Sequence, residues 1–134
     1  MHTPENLQIV RSIYNNFTRG DISAILNVMD ASVQCNVMIN WPDGPKNIPY
    51  AGRHNGRTEV AKCFAQFLNI VRLEPEIIPR EFITNGDSVM VNGSELRRVW
   101  HNGILTENRW SMVWTLRQGK VVRFFIYEDT VEAL

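Results

Sequence analysis

The sequence lacks an excess of either charge, a long apolar run and a recognisable targeting segment. Fourteen lysine and arginine residues balance fourteen aspartate and glutamate residues, so the formal net charge is zero. A nucleic-acid-binding protein normally shows a basic excess or a basic stripe. No run approaches the roughly 20 apolar residues of a membrane span, and the first residues do not have the pattern of a signal peptide. We therefore expect a cytoplasmic protein with no nucleic-acid and no membrane partner.

The sequence is also poor in motifs for metals, cofactors and nucleophilic catalysis. Its two cysteines, Cys35 and Cys63, form no C-x-x-C pair and give no disulfide framework. The histidines His2, His54 and His101 are scattered, without the spacing of metal ligands. The chain has neither a glycine-rich phosphate loop nor a nucleophile elbow. We therefore expect no metal and no cofactor.

What the sequence does contain is an ordinary globular composition and a clear order of elements. Its 134 residues, 44% apolar and 21% charged, predict one domain over 1–134. Helical spacing predicts a first helix that begins near Pro4 and ends at Gly20, and a third from Arg57 to Arg72. Between them, Asp21 can cap a second helix. The apolar stripe of this second helix consists of Ile22, Ile25, Leu26 and Met29.

Extended runs dominate the rest of the chain. A short alternating strand is predicted from Val33 to Ile39, followed by an irregular stretch over 40–55 that is rich in proline and glycine. Glycine-containing turns then separate four predicted strands, roughly 76–84, 88–100, 104–116 and 120–128. Pro75 and Pro79 make the first of these four an edge strand with breaks. Helices followed by an antiparallel meander predict an α+β fold.

This order of elements resembles the NTF2-like superfamily, and in particular its SnoaL-like and ketosteroid-isomerase-like branch. The resemblance rests on the segments FTRGDI (17–22), GRHNGR (52–57) and GKVVRF (119–124), the last followed by YEDT (127–130). It implies a cystatin-like cone in which three N-terminal helices pack on a curved antiparallel sheet around a pocket. It also implies a homodimer formed through the outer face of the sheet. Because this fold supports many functions, the resemblance names none.

Alternation along the strands predicts which side chains face the pocket. In the last strand one face carries Val122, Phe124, Ile126 and Glu128. The register implied by the resemblance places Val89, Val91, Gly93, Glu95 and Arg97 on the inner face of the second long strand. A few ionisable groups in an apolar cavity are typical of a small-molecule site. We interpret Glu128 as the first candidate general base and Glu95 as the second, with Arg97 holding an anion or polarising a carbonyl.

The other candidate pocket residues would contact an apolar ligand: Cys35, Trp41, Asn108, Trp110, Met112 and Trp114. Trp41, in the irregular stretch, either forms a lid on the pocket or covers the edge of the core. The charged candidates also have a structural interpretation, because Glu128 lies near a strand end and Glu95 and Arg97 can simply neutralise each other.

The chain departs from the better-known enzymes of this resemblance. The tyrosine, base and acid of ketosteroid isomerase fall by position on Ile13, near Cys35 and near Met112. The acid–arginine–acid set of limonene-epoxide hydrolases falls on Glu95, Gly93 and Ile126. Neither chemistry is expected, since only Glu95 among these positions is acidic. A polyketide cyclase of the SnoaL type needs one acidic residue in the cavity, which Glu95 or Glu128 could supply.

Two functions therefore remain open. One is a cofactor-independent isomerase, cyclase, hydratase or hydrolase acting on a small apolar molecule, with Glu128 or Glu95 as the base. The other is a non-catalytic module that binds an apolar ligand or associates with another chain. In either case Val113, Phe125 and Tyr127 form an outer sheet face that is unusually apolar, which predicts a homodimer.

Overall fold

The computed structural model describes residues 3–40, 50–99, 103 and 105–129. Within these ranges the chain forms three helices and six strands. The helices are α1 (Thr3–Thr18), α2 (Ile22–Asn27) and α3 (Gly56–Ile70). The strands are β1 (Met29–Asn40), β2 (Gly52–Asn55), β3 (Val71–Asn85), β4 (Ser88–Val99), β5 (Leu105–Arg117) and β6 (Lys120–Asp129). The predicted α+β class is confirmed, and α1 packs mainly on β3 while α3 packs mainly on β1.

The six strands form one mixed sheet in the order β2-β1-β6-β5-β4-β3. All neighbouring pairs are antiparallel except β1 and β6, which run parallel with Cys35 opposite Phe124. The prediction of an antiparallel sheet is therefore wrong at this one pair. Turns set the direction of neighbouring strands in the meander, whereas β1 and β6 are far apart in the chain and no turn constrains them. The three predicted helices are present, but they do not form one N-terminal set, because α3 follows β1 and β2.

The helical hairpin forms at the residues that the sequence indicates. Gly20 adopts a positive φ of 72° after α1, a conformation that glycine reaches without a steric penalty. Asp21 caps α2, and its Oδ1 accepts a hydrogen bond of 3.1 Å from the backbone N–H of Ala24. Met29, predicted on the second helix, instead opens β1 and pairs with Val121. Because α2 has only six residues, β1 begins earlier than predicted and extends from 29 to 40.

The edges of the sheet differ from the prediction in detail. The irregular stretch over 40–55 contains β2, which pairs with β1 and was not predicted. β3 begins directly after α3, five residues earlier than predicted, and it is the edge strand that its prolines indicate. Its register shifts between Leu73 and Ile77 and again between Pro79 and Glu81, as the proline positions predict.

The inner face of the sheet carries the core. Val89 and Val91 on β4 and the alternating series Trp110, Met112, Trp114 and Leu116 on β5 are buried, so the predicted register of both strands is confirmed. On β6 the register shifts where Leu116 pairs with Val121 and Thr115 pairs with Arg123. Because this irregularity adds a residue, Val121 is buried and Val122 is only half-buried. The predicted inward position of Val122 is therefore wrong, while Phe124, Ile126 and Glu128 do face inward.

Candidate functional site

Register places four polar side chains together on the inner face of β4, β5 and β6. Glu95 on β4 lies opposite Asn108 on β5, and Glu128 on β6 lies opposite Trp110 on β5. Glu95, Arg97, Asn108 and Glu128 are 2%, 5%, 0% and 7% exposed. Buried charges persist in proteins only when they are paired and hydrogen-bonded. These four residues form what we call the polar cluster.

Arg97 is the centre of the polar cluster. Its Nε donates to Glu95 Oε1 at 2.5 Å, and its Nη2 also contacts that oxygen. Glu128 receives two hydrogen bonds, from Nη2 to Oε1 at 2.6 Å and from Nη1 to Oε2 at 3.4 Å. Nη1 also donates to the hydroxyl of Tyr50 at 3.4 Å. The guanidinium further lies over the ring of Phe67, with 4.7 Å between its carbon and the ring centroid.

Asn108 completes the coordination of the guanidinium. With its amide oxygen turned towards Arg97, it accepts from both Nη1 and Nη2 at 3.0 Å. The guanidinium has five N–H donors, and acceptors from Glu95, Glu128, Tyr50 and Asn108 face all of its nitrogens. Arg97 therefore has no donor left over for a bound anion.

The two carboxylates differ in how well their charge is compensated. Both oxygens of Glu128 accept from Arg97, whereas Oε2 of Glu95 is buried and has no hydrogen-bond partner among the described residues. Burial raises the pKa of Glu95 to about 7, against the opposing charge of Arg97 and with the help of the Glu128 charge. Burial alone would lower the pKa of Arg97, but the charges of Glu128 and Glu95 raise it. Glu95 is therefore the group in this cluster that can exchange a proton near neutral pH.

The polar cluster forms one wall of a cavity of about 50 Å³. The remaining walls are mainly aromatic and aliphatic, and they include Ile13, Tyr14, Phe17, Phe64, Phe67 and Trp114. A cavity of this size holds a few waters, whereas pockets for drug-sized ligands measure about 300–1,000 Å³. A larger ligand can enter only if a wall side chain moves.

Tyr14 presents a second polar group at the cavity wall. Its hydroxyl accepts from Trp114 Nε1 at 3.0 Å and donates to the thioether sulfur of Met112 at 3.1 Å. Its ring stacks on Trp110, with 5.4 Å between centroids and 11° between planes. Burial raises the pKa of the Tyr14 hydroxyl, which therefore keeps its proton. A thioether is a weak acceptor, so a better acceptor on a ligand could replace it.

The structure brings most of the predicted site residues together, but not all. Glu95, Arg97 and Glu128 line the cavity with Met112 and Trp114. Asn108 lies against Arg97. Trp110 packs behind Tyr14, and its side chain interacts with the Glu95 carboxyl and lowers the pKa of Glu95, although its Nε1 forms no hydrogen bond of standard geometry among the described residues. Cys35 is buried in the core but does not line this cavity, and it borders a separate cleft with Gln34 and Arg123. Trp41 lies outside the described residues.

Two hydroxyl-bearing cavity residues were missed from the sequence, Tyr14 and Tyr50. Tyr14 shares a helical stripe with Ile13 and Phe17, so periodicity identifies it as buried but not as a hydrogen-bonding group. Tyr50 precedes β2, and its ring packs edge-on against Phe67 at 5.1 Å. Nothing in the local pattern indicates that a residue of the irregular stretch reaches Arg97.

The described ranges contain neither a cluster of metal-ligating side chains nor a membrane-spanning helix. No group of three or more histidine, cysteine, aspartate or glutamate side chains there could hold a metal ion. None of the helices described is both long and apolar enough to cross a membrane.

Comparison with solved structures identifies the fold. The chain has the NTF2-like fold, and the resemblance inferred from the sequence is confirmed. An NTF2-like protein from Burkholderia xenovorans LB400 is 28% identical, with a TM-score of 0.81 over 98% of this chain and 95% of that one. An NTF2-like protein of unknown function from Burkholderia pseudomallei K96243 is 26% identical, with a TM-score of 0.85 over 96% and 94%.

A third similar structure is that of TerC co-crystallised with polyporic acid. It is 28% identical, with a TM-score of 0.79 over 95% of this chain and 93% of TerC. No protein-family model and no curated protein sequence matches the chain.

Proposed function

We propose that this protein is a cofactor-independent enzyme that transfers a proton on a small, mainly apolar carbonyl compound, with Glu95 as the general base. The observation that carries the proposal is the unpartnered Oε2 of Glu95, buried at the wall of the cavity. A pKa of about 7 suits this carboxyl to accept and return a proton at neutral pH. The sequence favours Glu128 as the base, but both oxygens of Glu128 are engaged by Arg97.

The proposed reaction is an isomerisation or a cyclisation through an enolate. Glu95 removes a proton from the carbon next to the carbonyl group, and the electron pair of that C–H bond moves onto the carbonyl oxygen. The Tyr14 hydroxyl turns from Met112 to this oxygen and stabilises its charge by a hydrogen bond. In an isomerisation, the protonated Glu95 returns its proton to another carbon. In a cyclisation, the enolate carbon attacks a second carbonyl group of the same molecule, and the alkoxide that forms there takes the proton back from Glu95.

Arg97 and Glu128 are positioning residues in this proposal. The guanidinium holds Oε1 of Glu95 and thereby leaves Oε2 unpartnered. Glu128, Asn108 and Tyr50 occupy the remaining donors of Arg97. The sequence-based role of Arg97 as an anion receptor is not part of the proposal, because no donor remains for it.

The experiment that tests the base is proton exchange into a ligand. Polycyclic ketones, steroids, terpenoid epoxides, fatty acids and polyporic acid, with which TerC was crystallised, are first screened by thermal shift. A ligand at a hundred times its Kd adds about 2.7 kcal/mol of stability. Each stabilising carbonyl compound is then incubated with the protein in D₂O, and deuterium uptake at carbon is followed by mass spectrometry.

Glu95→Gln should lower the exchange rate by about 10²–10⁴-fold, the usual contribution of a general base. The wild-type rate should rise with pH up to about 7 and then level off, because Glu95 must be ionised to act. Glu107→Gln, an exposed change on β5, is the matched control and should leave the rate unchanged. Exchange that survives in Glu95→Gln with an unchanged pH profile would overturn the assignment.

A non-catalytic ligand-binding protein is the second candidate. It is favoured by the polar cluster itself, because an arginine with every donor satisfied internally is also what a purely structural ion pair requires. A tight ligand recovered from the wild-type protein without deuterium uptake or conversion would support this second candidate.

We also propose that the protein is a homodimer through the outer face of the sheet. Register aligns Ile83, Met90, Val113 and Phe125 in one row across β3, β4, β5 and β6. Tyr127 extends this apolar row, with its ring 6.4 Å from that of Phe125. Ile83, Met90 and Tyr127 are 47%, 40% and 44% exposed in the single chain. Apolar patches of this kind mark interfaces.

A further inference from the structure

A second cleft shares a wall with the cavity. It lies between α1 and β3 and measures about 460 Å³, a volume within the range of about 300–1,000 Å³ for small-molecule sites. Two residues, Tyr14 and Ile77, line both this α1–β3 cleft and the cavity. These two side chains therefore separate the cavity from the larger space outside it.

Of these two residues, Ile77 is held by fewer specific contacts. Tyr14 is held by hydrogen bonds with Trp114 and Met112 and by stacking on Trp110. Ile77 is an aliphatic side chain on an edge strand whose register is irregular on both sides of it. It also lies directly opposite Glu95 in the β3–β4 ladder. A ligand that displaces the Ile77 side chain therefore reaches the carboxyl of Glu95.

The chemistry of the α1–β3 cleft indicates what it would hold. The β3 side is apolar, with Ile77, Ile78 and Pro79. The α1 side is polar, with Asn15, Thr18 and Arg19. Among the described residues that line the cleft there is one cation and no anion. The Arg19 guanidinium donates to Asn16, which uses only part of its five donors.

We propose that the ligand of the cavity is an elongated molecule that passes Ile77, with a mainly apolar, carbonyl-bearing end at Glu95 and an anionic end held by Arg19 in the α1–β3 cleft. This inference rests on the proposed function for the identity of the reacting end. It accounts for a cavity of about 50 Å³ beside a cleft of about 460 Å³. Ile77 then determines which ligands reach the base.

Two fluorescent dyes of the same shape test the proposal by binding alone. 1-Anilinonaphthalene-8-sulfonate carries a sulfonate, and N-phenyl-1-naphthylamine is its neutral counterpart. Ile77→Ala should tighten the binding of both dyes by about tenfold, equivalent to about 1.4 kcal/mol. Ile77→Phe should weaken the binding of both dyes, because a larger side chain narrows the opening between the α1–β3 cleft and the cavity. Leu105→Ala, an exposed change on β5, is the control and should change neither Kd.

Arg19→Gln should weaken the binding of the sulfonate dye by about fivefold, which is the upper range for an exposed ion pair. It should leave the Kd of the neutral dye unchanged. Arg57→Gln, an exposed change on α3, should affect neither dye. The proposal would be overturned if Arg19→Gln changed the Kd values of both dyes equally. It would also be overturned if the substitutions of Ile77 left the Kd values unchanged, or if the Ile77→Ala protein bound neither dye. Because no reaction is involved, this result is independent of whether Glu95 proves to be the base.

Discussion

At the scale of single residues, identical functional groups acquire different properties from their partners. Glu95 and Glu128 contact the same guanidinium, yet only Glu95 keeps a buried oxygen without a partner among the described residues. Two carboxylates and one guanidinium leave a formal charge of −1, and protonation of one carboxyl neutralises it. Burial raises the pKa of Glu95 to about 7, so Glu95 takes this proton near neutral pH.

This raised pKa predicts how stability depends on pH. The pKa of Glu95 rises from 4.5 to about 7 on folding, so between these values the folded protein binds more protons than the unfolded chain. Its contribution to stability is fully present below about pH 4.5 and is lost as the pH rises through about 7. In urea denaturation at a series of pH values, Glu95→Gln should flatten this part of the profile relative to wild type.

The matched control for this experiment is Glu81→Gln, an exposed carboxylate on β3 that accepts from Asn92. Its free energy of unfolding should depend on pH between 4.5 and 7 in the same way as that of the wild type. An identical pH profile for wild type and Glu95→Gln would contradict the ionisation assigned to Glu95.

The residues of the site were only partly predictable from the sequence. Strand alternation placed Glu128 on the inner face, and the register implied by the NTF2-like resemblance placed Glu95 and Arg97 there before any contact was known. The sequence could not reveal which carboxylate Arg97 holds more fully, since that depends on side-chain geometry. Nor could it place Tyr50, because a residue in an irregular stretch has no periodicity from which to infer direction.

At the scale of elements, Gly93 shows how β4 and β5 are fitted together. It lies opposite Trp110 on the inner face. A β-carbon at Gly93 would overlap the Trp110 ring and the backbone carbonyl of Ile78. Trp110 in turn stacks on Tyr14. A glycine within this strand therefore allows the close approach that supports the cavity wall.

Gly93→Ala should accordingly destabilise the protein by about 1–3 kcal/mol, the usual cost of overpacking a core. It should also disturb the stacking of Trp110 on Tyr14, visible as a change in near-ultraviolet circular dichroism. Gln66→Ala, an exposed change on α3, should stay within about 0.5 kcal/mol of wild type. A Gly93→Ala protein as stable as wild type in urea denaturation would show that β3 and β5 can separate at this point.

The elements themselves were predicted best where the chain makes tight turns. The turn at Gly86 joins β3 to β4, and the turn at Gly119 joins β5 to β6, where the sequence places them. The bounds of β1 and the existence of β2 were not predicted, because pairing across the sheet decides them and local propensity does not. The parallel pairing of β1 with β6 could not be predicted for the same reason, since local sequence patterns do not determine how distant strands pair.

At the scale of the whole molecule, the apolar row across the outer face predicts the oligomeric state. Sedimentation equilibrium at micromolar concentration should give twice the mass of 15.5 kDa. Met90→Lys combined with Tyr127→Lys should yield a folded monomer, because two charges would be buried at the interface. Gln8→Lys, an exposed change on α1, should remain dimeric. A wild-type mass of one chain would exclude this interface.

The position of β6 between β1 and β5 has a consequence for how the chain folds. The meander β3-β4-β5 and the unit of β1, β2 and α3 are each built from local contacts, and β6 alone hydrogen-bonds to both within the described sheet. Contacts between segments near residues 35 and 125 close a long loop, and such contacts form slowly. We expect the entry of β6 to be the late step that limits folding. Glu128 lies on this strand, so the polar cluster is completed in the same event that closes the sheet.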